Sequence, residues 1–121
     1  MTKSMSRENR VAEFISYAKP PTEGLAWKCF YEEVSELDEA GTEYKKNPTL
    51  ENRAAFIKEW ADVQYVLSQL AVYYNFDGTA AFNRVADNNL TKVVDGKVRY
   101  RESDGKVLKP DNYVKPDMRG L

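Results

Sequence analysis

The sequence has no histidine, a single cysteine and no excess of positive charge, and each shortage excludes a class of chemistry. Without histidine, the 121-residue chain cannot build a Ser-His or Cys-His nucleophile or a histidine-ligated zinc site. With Cys29 as the single cysteine, an intramolecular disulfide is impossible, and Cys29 is expected to be a packing residue. This cysteine usage fits a reducing, cytoplasmic setting. The 18 Lys and Arg residues are balanced by 19 Asp and Glu residues, which disfavours a general nucleic-acid binder.

Long apolar runs are also missing. The longest stretch without a charge, residues 63–76, is shorter than the roughly 20 residues that a membrane helix needs. The opening "MTKSMSRENR" is polar with no apolar run behind it, unlike a secretory signal. Hydrophobic residues still make up 42% of the chain, enough for a core. We therefore expect one soluble domain over residues 1–121, with no membrane partner.

Four segments have apolar residues at helical spacing, which predicts an all-α bundle of antiparallel helices over about residues 6–93. Each segment begins with a residue that commonly caps helices and ends at a breaker. The expected helices are a first after Ser6 that ends at residues 19–21, a second from Thr22 to about Lys46, a third from Thr49 to about Tyr74, and a fourth from Thr79 to about Val93.

Residues 94–121 have a different character and are expected to form an extended tail. The tetrapeptide "DGKV" occurs twice in this region, and Asp-Gly is a strong turn signal. Val98–Arg101 and Lys106–Leu108 lie on either side of the second Asp-Gly and predict a small β-hairpin.

Four carboxylates fall on the apolar sides of the two long helices. With about 100° of rotation per residue, Glu33 and Glu36 lie within the apolar arc of the second helix, and Glu32 lies at its rim. Glu59 and Asp62 take similar positions on the third helix. Burying several carboxylates together is costly unless a cation offsets them, and neither arc contains a well-placed basic residue. A divalent metal with oxygen ligands, Mg²⁺ or Mn²⁺, is the remaining option.

The two inward pairs together are more informative than either alone. A single EExxE stretch is usually a solvated acidic face, but a second pair one helix away favours a metal site. Packing the two helices antiparallel would bring Glu33, Glu36, Glu59 and Asp62 together. An iron-carboxylate bundle would use Glu-x-x-His pairs, which this chain cannot supply.

These motifs resemble a known family. "EEVSE" at residues 32–36 followed by "EWAD" at residues 59–62 resembles the EExxE…ExxD signature of the MazG-like, all-α nucleoside triphosphate pyrophosphohydrolases. The tail "NLTKVVDGKVRYRESDGKVLKPDNYVKPD" is similar to the ending of a small single-domain subgroup, some of whose members are carried by phages. The resemblance covers about residues 22–117.

The resemblance implies specific roles. Glu33, Glu36, Glu59 and Asp62 would bind Mg²⁺, or Mn²⁺ in its place. Glu32 would hold a further metal or orient the attacking water, which makes Glu32 and Glu33 the expected catalytic carboxylates.

Substrate contacts are expected from four further residues. The resemblance implies that Asn89 and Lys92 face the nucleotide, although Asn89 also suits a core asparagine bonded to backbone. Lys28 and Lys106 are candidates for phosphate contacts, with a merely solvated surface position as the alternative for each.

The implied reaction is hydrolysis of a (deoxy)nucleoside triphosphate at the α-phosphorus, releasing a monophosphate and pyrophosphate for nucleotide-pool control. The implied assembly is a homodimer or homotetramer, in the cytoplasm or in a host's cytoplasm if the gene is phage-borne. Two alternatives remain: phosphoribosyl-ATP pyrophosphohydrolysis, which shares the acidic signature, and a non-catalytic helical oligomerisation module with a structural metal site.

Overall fold

The computed structural model describes residues 6–121, and this part of the chain is helical, without strands. Its helices are α1 (Arg7–Ile15), α2 (Glu23–Lys46), α3 (Leu50–Tyr74) and α4 (Gly78–Leu90). The all-α expectation is therefore confirmed. Within residues 6–121, no helix combines the length and the apolar character needed to cross a membrane. The interpretation of the polar opening concerns residues 1–5 in part, and these lie outside the described residues.

The first three helices begin where the sequence predicts. The side chains of Ser6, Thr22 and Thr49 each accept a hydrogen bond from the backbone N–H three residues later, at 3.1, 3.2 and 3.1 Å. Each cap satisfies one of the backbone donors that a helix start leaves unpaired. The predicted ends at Lys46 and Tyr74 are also confirmed.

The predicted bounds of the fourth helix were wrong at both ends. Asp77 is the N-cap instead of Thr79, and its Oδ1 accepts a hydrogen bond from the backbone N–H of Ala80 at 2.9 Å. Aspartate is the stronger cap of the two residue types, and it comes first in the chain. The helix ends at Leu90, where the Thr91 hydroxyl donates to the carbonyl of Asn88 at 2.6 Å, a local bond that competes with helix continuation.

Helices α2 and α3 pack antiparallel. Trp27, near the start of α2, lies against Tyr74 at the end of α3, with ring centroids 6.4 Å apart. At the opposite end of the pair, Tyr44 and Phe56 have centroids 5.9 Å apart. Trp27 Nε1–H also donates to the Tyr74 hydroxyl at 2.8 Å. The two helices are thus joined by aromatic contacts at both ends, with the acidic motifs between them.

Helix α1 packs on α3, and a small core forms among the three helices. The buried apolar residues are Val11, Ala26, Val66, Leu70 and Ala71. Larger apolar side chains remain exposed, including Leu25 of α2 and Trp60 and Leu67 of α3. The first three helices therefore leave much of their apolar surface uncovered.

Residue contacts divide the chain into two compact units, the first ending at Phe76 and the second covering Asp77–Leu121. Each unit is considered by itself. The expectation of one domain over residues 1–121 stays a prediction.

The tail follows α4 in the second unit and forms two isolated antiparallel bridges, Val94–Lys97 and Tyr100–Val107. The predicted hairpin is reduced to the second bridge, since residues 94–121 contain no strand. Asp104 holds the turn here, because its carboxylate pairs with the Arg101 guanidinium and accepts from the Lys106 N–H. The turn signal was therefore right, and the strands on either side were wrong.

Candidate metal centre

Three carboxylates meet where α2 faces α3. One oxygen from each of Glu33, Glu59 and Asp62 lies within 4.8 Å of the other two. The spacing of three residues puts Glu59 and Asp62 on one side of α3, and the antiparallel packing presents Glu33 of α2 to them. The prediction that the two acidic motifs meet is confirmed for these three residues.

Two oxygens of this cluster are buried without a hydrogen-bond partner. They are Oε2 of Glu33 and Oε2 of Glu59. The Glu59 side chain as a whole is only 19% exposed. A buried carboxylate oxygen without a partner is unfavourable, so the pair suits a ligand that brings positive charge. Oxygen donors of this kind fit Mg²⁺ or Mn²⁺.

Burial and mutual repulsion raise the pKa of two of these acids. The pKa of Glu33 is raised by partial burial first and then by the neighbouring charge of Glu36, with smaller effects from Asp62 and Glu59. The pKa of Glu59 is raised mainly by burial, and the Lys58 ammonium partly opposes that shift. Both carboxylates are therefore easier to protonate than ordinary glutamates, as expected where negative charges gather.

Glu36 lies outside the three-residue cluster, and its side chain is exposed. It is still close enough to both Glu33 on α2 and Glu59 on α3 to raise the pKa of each. The role of Glu36 as a metal ligand stays a prediction.

The expectation that no basic residue lies near the acids was also wrong. Lys58 Nζ lies 2.6 Å from Oδ2 of Asp62 and 3.7 Å from Oε1 of Glu59. Lys58 points toward solvent in the helical projection, but four residues separate it from Asp62, so the two are neighbours on the helix surface. Its long side chain then lets the ammonium reach back over the acids.

Glu32 and Lys28 lie on the exposed surface of α2. Lys28 Nζ is 3.9 Å from Oε1 of Glu32, and both side chains are more than half exposed. Exposed pairs of this kind contribute little to stability. Neither residue belongs to the carboxylate cluster, so their catalytic and phosphate-binding roles stay predictions.

Asn89 and Lys92, in the second unit, contact each other. The Lys92 ammonium donates to Oδ1 of Asn89 at 2.9 Å. Asn89 is exposed, so its interpretation as a core asparagine was wrong. The half-buried Asn88 fills that place instead: it donates to the carbonyl of Val114 at 2.6 Å and accepts from the Tyr113 hydroxyl at 2.9 Å. Contact of Asn89 and Lys92 with a nucleotide stays a prediction.

The tail carries contacts that sequence reasoning missed. Arg84 Nη1 donates to the carbonyls of Asp117 at 2.8 Å and Arg119 at 3.2 Å. Arg84 and Asn88 are one helical turn apart, so they form a polar row on α4 that holds the end of the tail. That spacing was the available signal. Lys106 is exposed and keeps its predicted phosphate role as a hypothesis.

No family model matches the chain, and a search of curated proteins finds no match. The resemblance to the MazG-like enzymes therefore depends on the quoted motifs and the order in which they occur.

Proposed function

We propose that the chain is a Mg²⁺-dependent nucleoside triphosphate pyrophosphohydrolase. It would convert a (deoxy)nucleoside triphosphate to the monophosphate and pyrophosphate, in the cytoplasm of its cell or host. The observation that carries the proposal is the cluster of Glu33, Glu59 and Asp62, with two buried oxygens that lack partners. The motif resemblance, which includes these residues and extends into the tail, also supports it.

Glu33, Glu59 and Asp62 would hold the ion, with Glu36 close enough to Glu33 to complete the set. When bound, Mg²⁺ would neutralise phosphate oxygens and lower the pKa of a coordinated water. The acidic cluster alone would repel a triphosphate, so substrate binding should require the ion.

The bond changes balance with water as the only co-substrate. A water oxygen forms a bond to the α-phosphorus, the bond from that phosphorus to the bridging oxygen breaks, and pyrophosphate leaves. Because the chain has no histidine, a carboxylate or a metal-coordinated hydroxide must accept the water proton. Glu33 and Glu32 are the proposed carboxylates for this step, with Glu32 orienting the water.

Cations for the phosphates are available outside the cluster. Lys92 is already oriented by Asn89, and Lys28 and Lys106 are exposed. A lysine beside a phosphate supplies a charge-assisted hydrogen bond, which is the contact we propose for each of these residues.

We further propose that the active form is a homodimer or homotetramer. Exposed apolar residues on α2 and α3, among them Leu25, Trp60 and Leu67, support this. Self-association would cover these faces, and the α2–α3 site would then lie near the subunit interface.

A second candidate is a non-catalytic helical oligomerisation module with a structural metal site. The observation that favours it is Lys58, which compensates part of the acidic charge from within the chain. A cluster that is partly neutralised has less need of a catalytic ion.

The deciding experiment is pyrophosphate release from a panel of nucleoside triphosphates and phosphoribosyl-ATP, with and without Mg²⁺. We expect release that requires Mg²⁺ and is abolished in Glu59→Gln and Glu36→Gln. Glu39→Gln, an exposed carboxylate of α2 outside the cluster, is the matched control and should stay active. Absence of turnover over the whole panel would favour the oligomerisation module.

A further inference from the structure

Lys58 is the only basic side chain in the described residues that forms an ion pair with the carboxylate cluster. Its ammonium contacts two of the three cluster residues, at 2.6 Å from Asp62 and 3.7 Å from Glu59. One lysine thus bridges two carboxylates that are proposed to share a metal.

The Lys58 pair differs from an ordinary surface pair on the neighbouring helix. Lys28 and Glu32 have the same spacing of four residues, but their charged atoms are 3.9 Å apart and both side chains are well exposed. The Asp62 side chain is only 33% exposed, and Lys58 approaches it to 2.6 Å. The lysine end is similarly exposed in both pairs, so the difference comes from the acid.

The Lys58 ammonium pairs with one oxygen of Asp62 and one of Glu59, and it leaves the buried oxygens of the cluster without a partner. It approaches Oδ2 of Asp62 and Oε1 of Glu59. The oxygens without partners are Oε2 of Glu59 and Oε2 of Glu33. One positive charge therefore serves a group of acids that retains a net negative charge.

We infer that Lys58 is a built-in counter-ion that competes with the divalent metal for Asp62 and Glu59 and so sets the metal affinity of the site. This inference rests on the proposed function. The ammonium already hydrogen-bonds one oxygen of Asp62, and a divalent ion on the same carboxylates would be its like-charged neighbour. Metal binding must then either displace Lys58 or accept that repulsion, and both lower the affinity.

Displacement of the Lys58 ammonium from Asp62 costs little, because most of the lysine side chain is already in water. Its side chain is 67% exposed, so the ammonium regains hydration when it leaves. Its long, flexible stem needs no backbone movement to do so. Lys58 would thus offset part of the acidic charge in the metal-free protein and move away from Asp62 when the divalent ion binds.

The test is calorimetric titration of the full chain with MgCl₂ and, separately, MnCl₂, without nucleotide. We expect Lys58→Gln to bind Mg²⁺ roughly tenfold more tightly than the wild type, because both the competitor and its charge are gone. Lys58→Arg keeps the charge and should stay closer to the wild type. Lys45→Gln removes an exposed lysine in the last turn of α2, outside the proposed site, and should leave the affinity unchanged.

A second readout is the melting temperature in the presence of a chelator. Lys58→Gln should melt below the wild type there, because the acids lose their counter-ion, and should equal or exceed it at saturating Mg²⁺. Lys45→Gln should not show this dependence of its relative stability on the metal.

The outcomes separate the inference from the proposed function. If the wild type binds Mg²⁺ and Lys58→Gln binds it equally or more weakly, Lys58 either is irrelevant or orients Asp62 as a ligand, and the counter-ion inference is overturned alone. If neither protein binds Mg²⁺ or Mn²⁺, the metal site itself is wrong, and both proposals fall.

Discussion

The proposed metal site depends on two oxygen atoms, Oε2 of Glu33 and Oε2 of Glu59. Both are buried without a hydrogen-bond partner, beside a third acid, Asp62. Such an arrangement costs folding free energy in the absence of a cation and repays it when a cation binds. A cluster kept at that cost is better explained by a ligand than by stability.

The pH dependence of stability should show this cost. The folded-state pKa values of Glu33 and Glu59 are raised above 4.5, so the folded, metal-free protein binds protons more readily than the unfolded chain. The unfolding free energy then falls as the pH rises through the raised values. The penalty is absent below the ordinary glutamate pKa and is full once the pH exceeds both raised values.

We therefore expect Glu59→Gln to melt above the wild type in chelator at neutral pH, with a gain that shrinks as the pH is lowered toward the ordinary carboxyl range. Thermal melts across that range measure it, with Glu39→Gln as the control for loss of a surface charge. A gain that does not vary with pH, or a lower melting temperature at pH 7, would contradict the assignment of Glu59 as a strained acid.

At this scale the helical period predicted part of the site. It placed Glu33, Glu59 and Asp62 toward one another because the two long helices are regular and antiparallel. It missed Lys58, because a projection of one helix does not show how far a lysine side chain reaches, and Glu36 is left exposed at the edge of the cluster. Those are properties of the pair of helices and of side-chain length.

The bounds of the first three helices could be predicted because each cap involves residues close together in the sequence. Ser6, Thr22 and Thr49 all bond the backbone N–H three residues later. Helix α4 shows the limit of such reading, since Asp77 and Thr79 are both capping residue types two positions apart, and the prediction chose the weaker one. The tail shows another limit: the spacing of Arg84 and Asn88 indicates a polar row on α4, but nothing local in sequence identifies Asp117 as the partner of Arg84.

The cap of α4 provides a test at the scale of one element. Asp77→Ala should destabilise the second unit by about 1 kcal/mol, because the Ala80 N–H loses its acceptor. Thr79→Ala should change little, since Thr79 is inside the helix. Urea denaturation followed by circular dichroism compares the two, and the reverse order of effects would restore Thr79 as the cap.

At the scale of the whole molecule, the feature that most needs an explanation is the exposed apolar surface of the first unit. Trp60 is 49% exposed and Leu67 is 43% exposed, although α3 lies between two other helices in the contact pattern. When a single chain exposes many large apolar side chains, these side chains usually mark an interaction surface. Self-association is the simplest way to cover it.

We expect the full chain to be a dimer or tetramer at micromolar concentration, as measured by light scattering. Leu67→Glu should shift the population toward monomer, because a charge buried in an interface is costly. Leu50→Glu adds the same charge at the first residue of α3, where the side chain is 83% exposed, and serves as the control. A wild type that is monomeric at this concentration would refute the assembly.

The most direct test of the central proposal is to follow the oxygen of the attacking water. The full chain is incubated with Mg²⁺ and a deoxynucleoside triphosphate in water enriched in heavy oxygen, and the products are weighed by mass spectrometry. We expect the label in the nucleoside monophosphate, unlabelled pyrophosphate, and no turnover by Glu59→Gln. Orthophosphate with a nucleoside diphosphate, label in the pyrophosphate, or equal turnover by Glu59→Gln would contradict attack at the α-phosphorus by this carboxylate site.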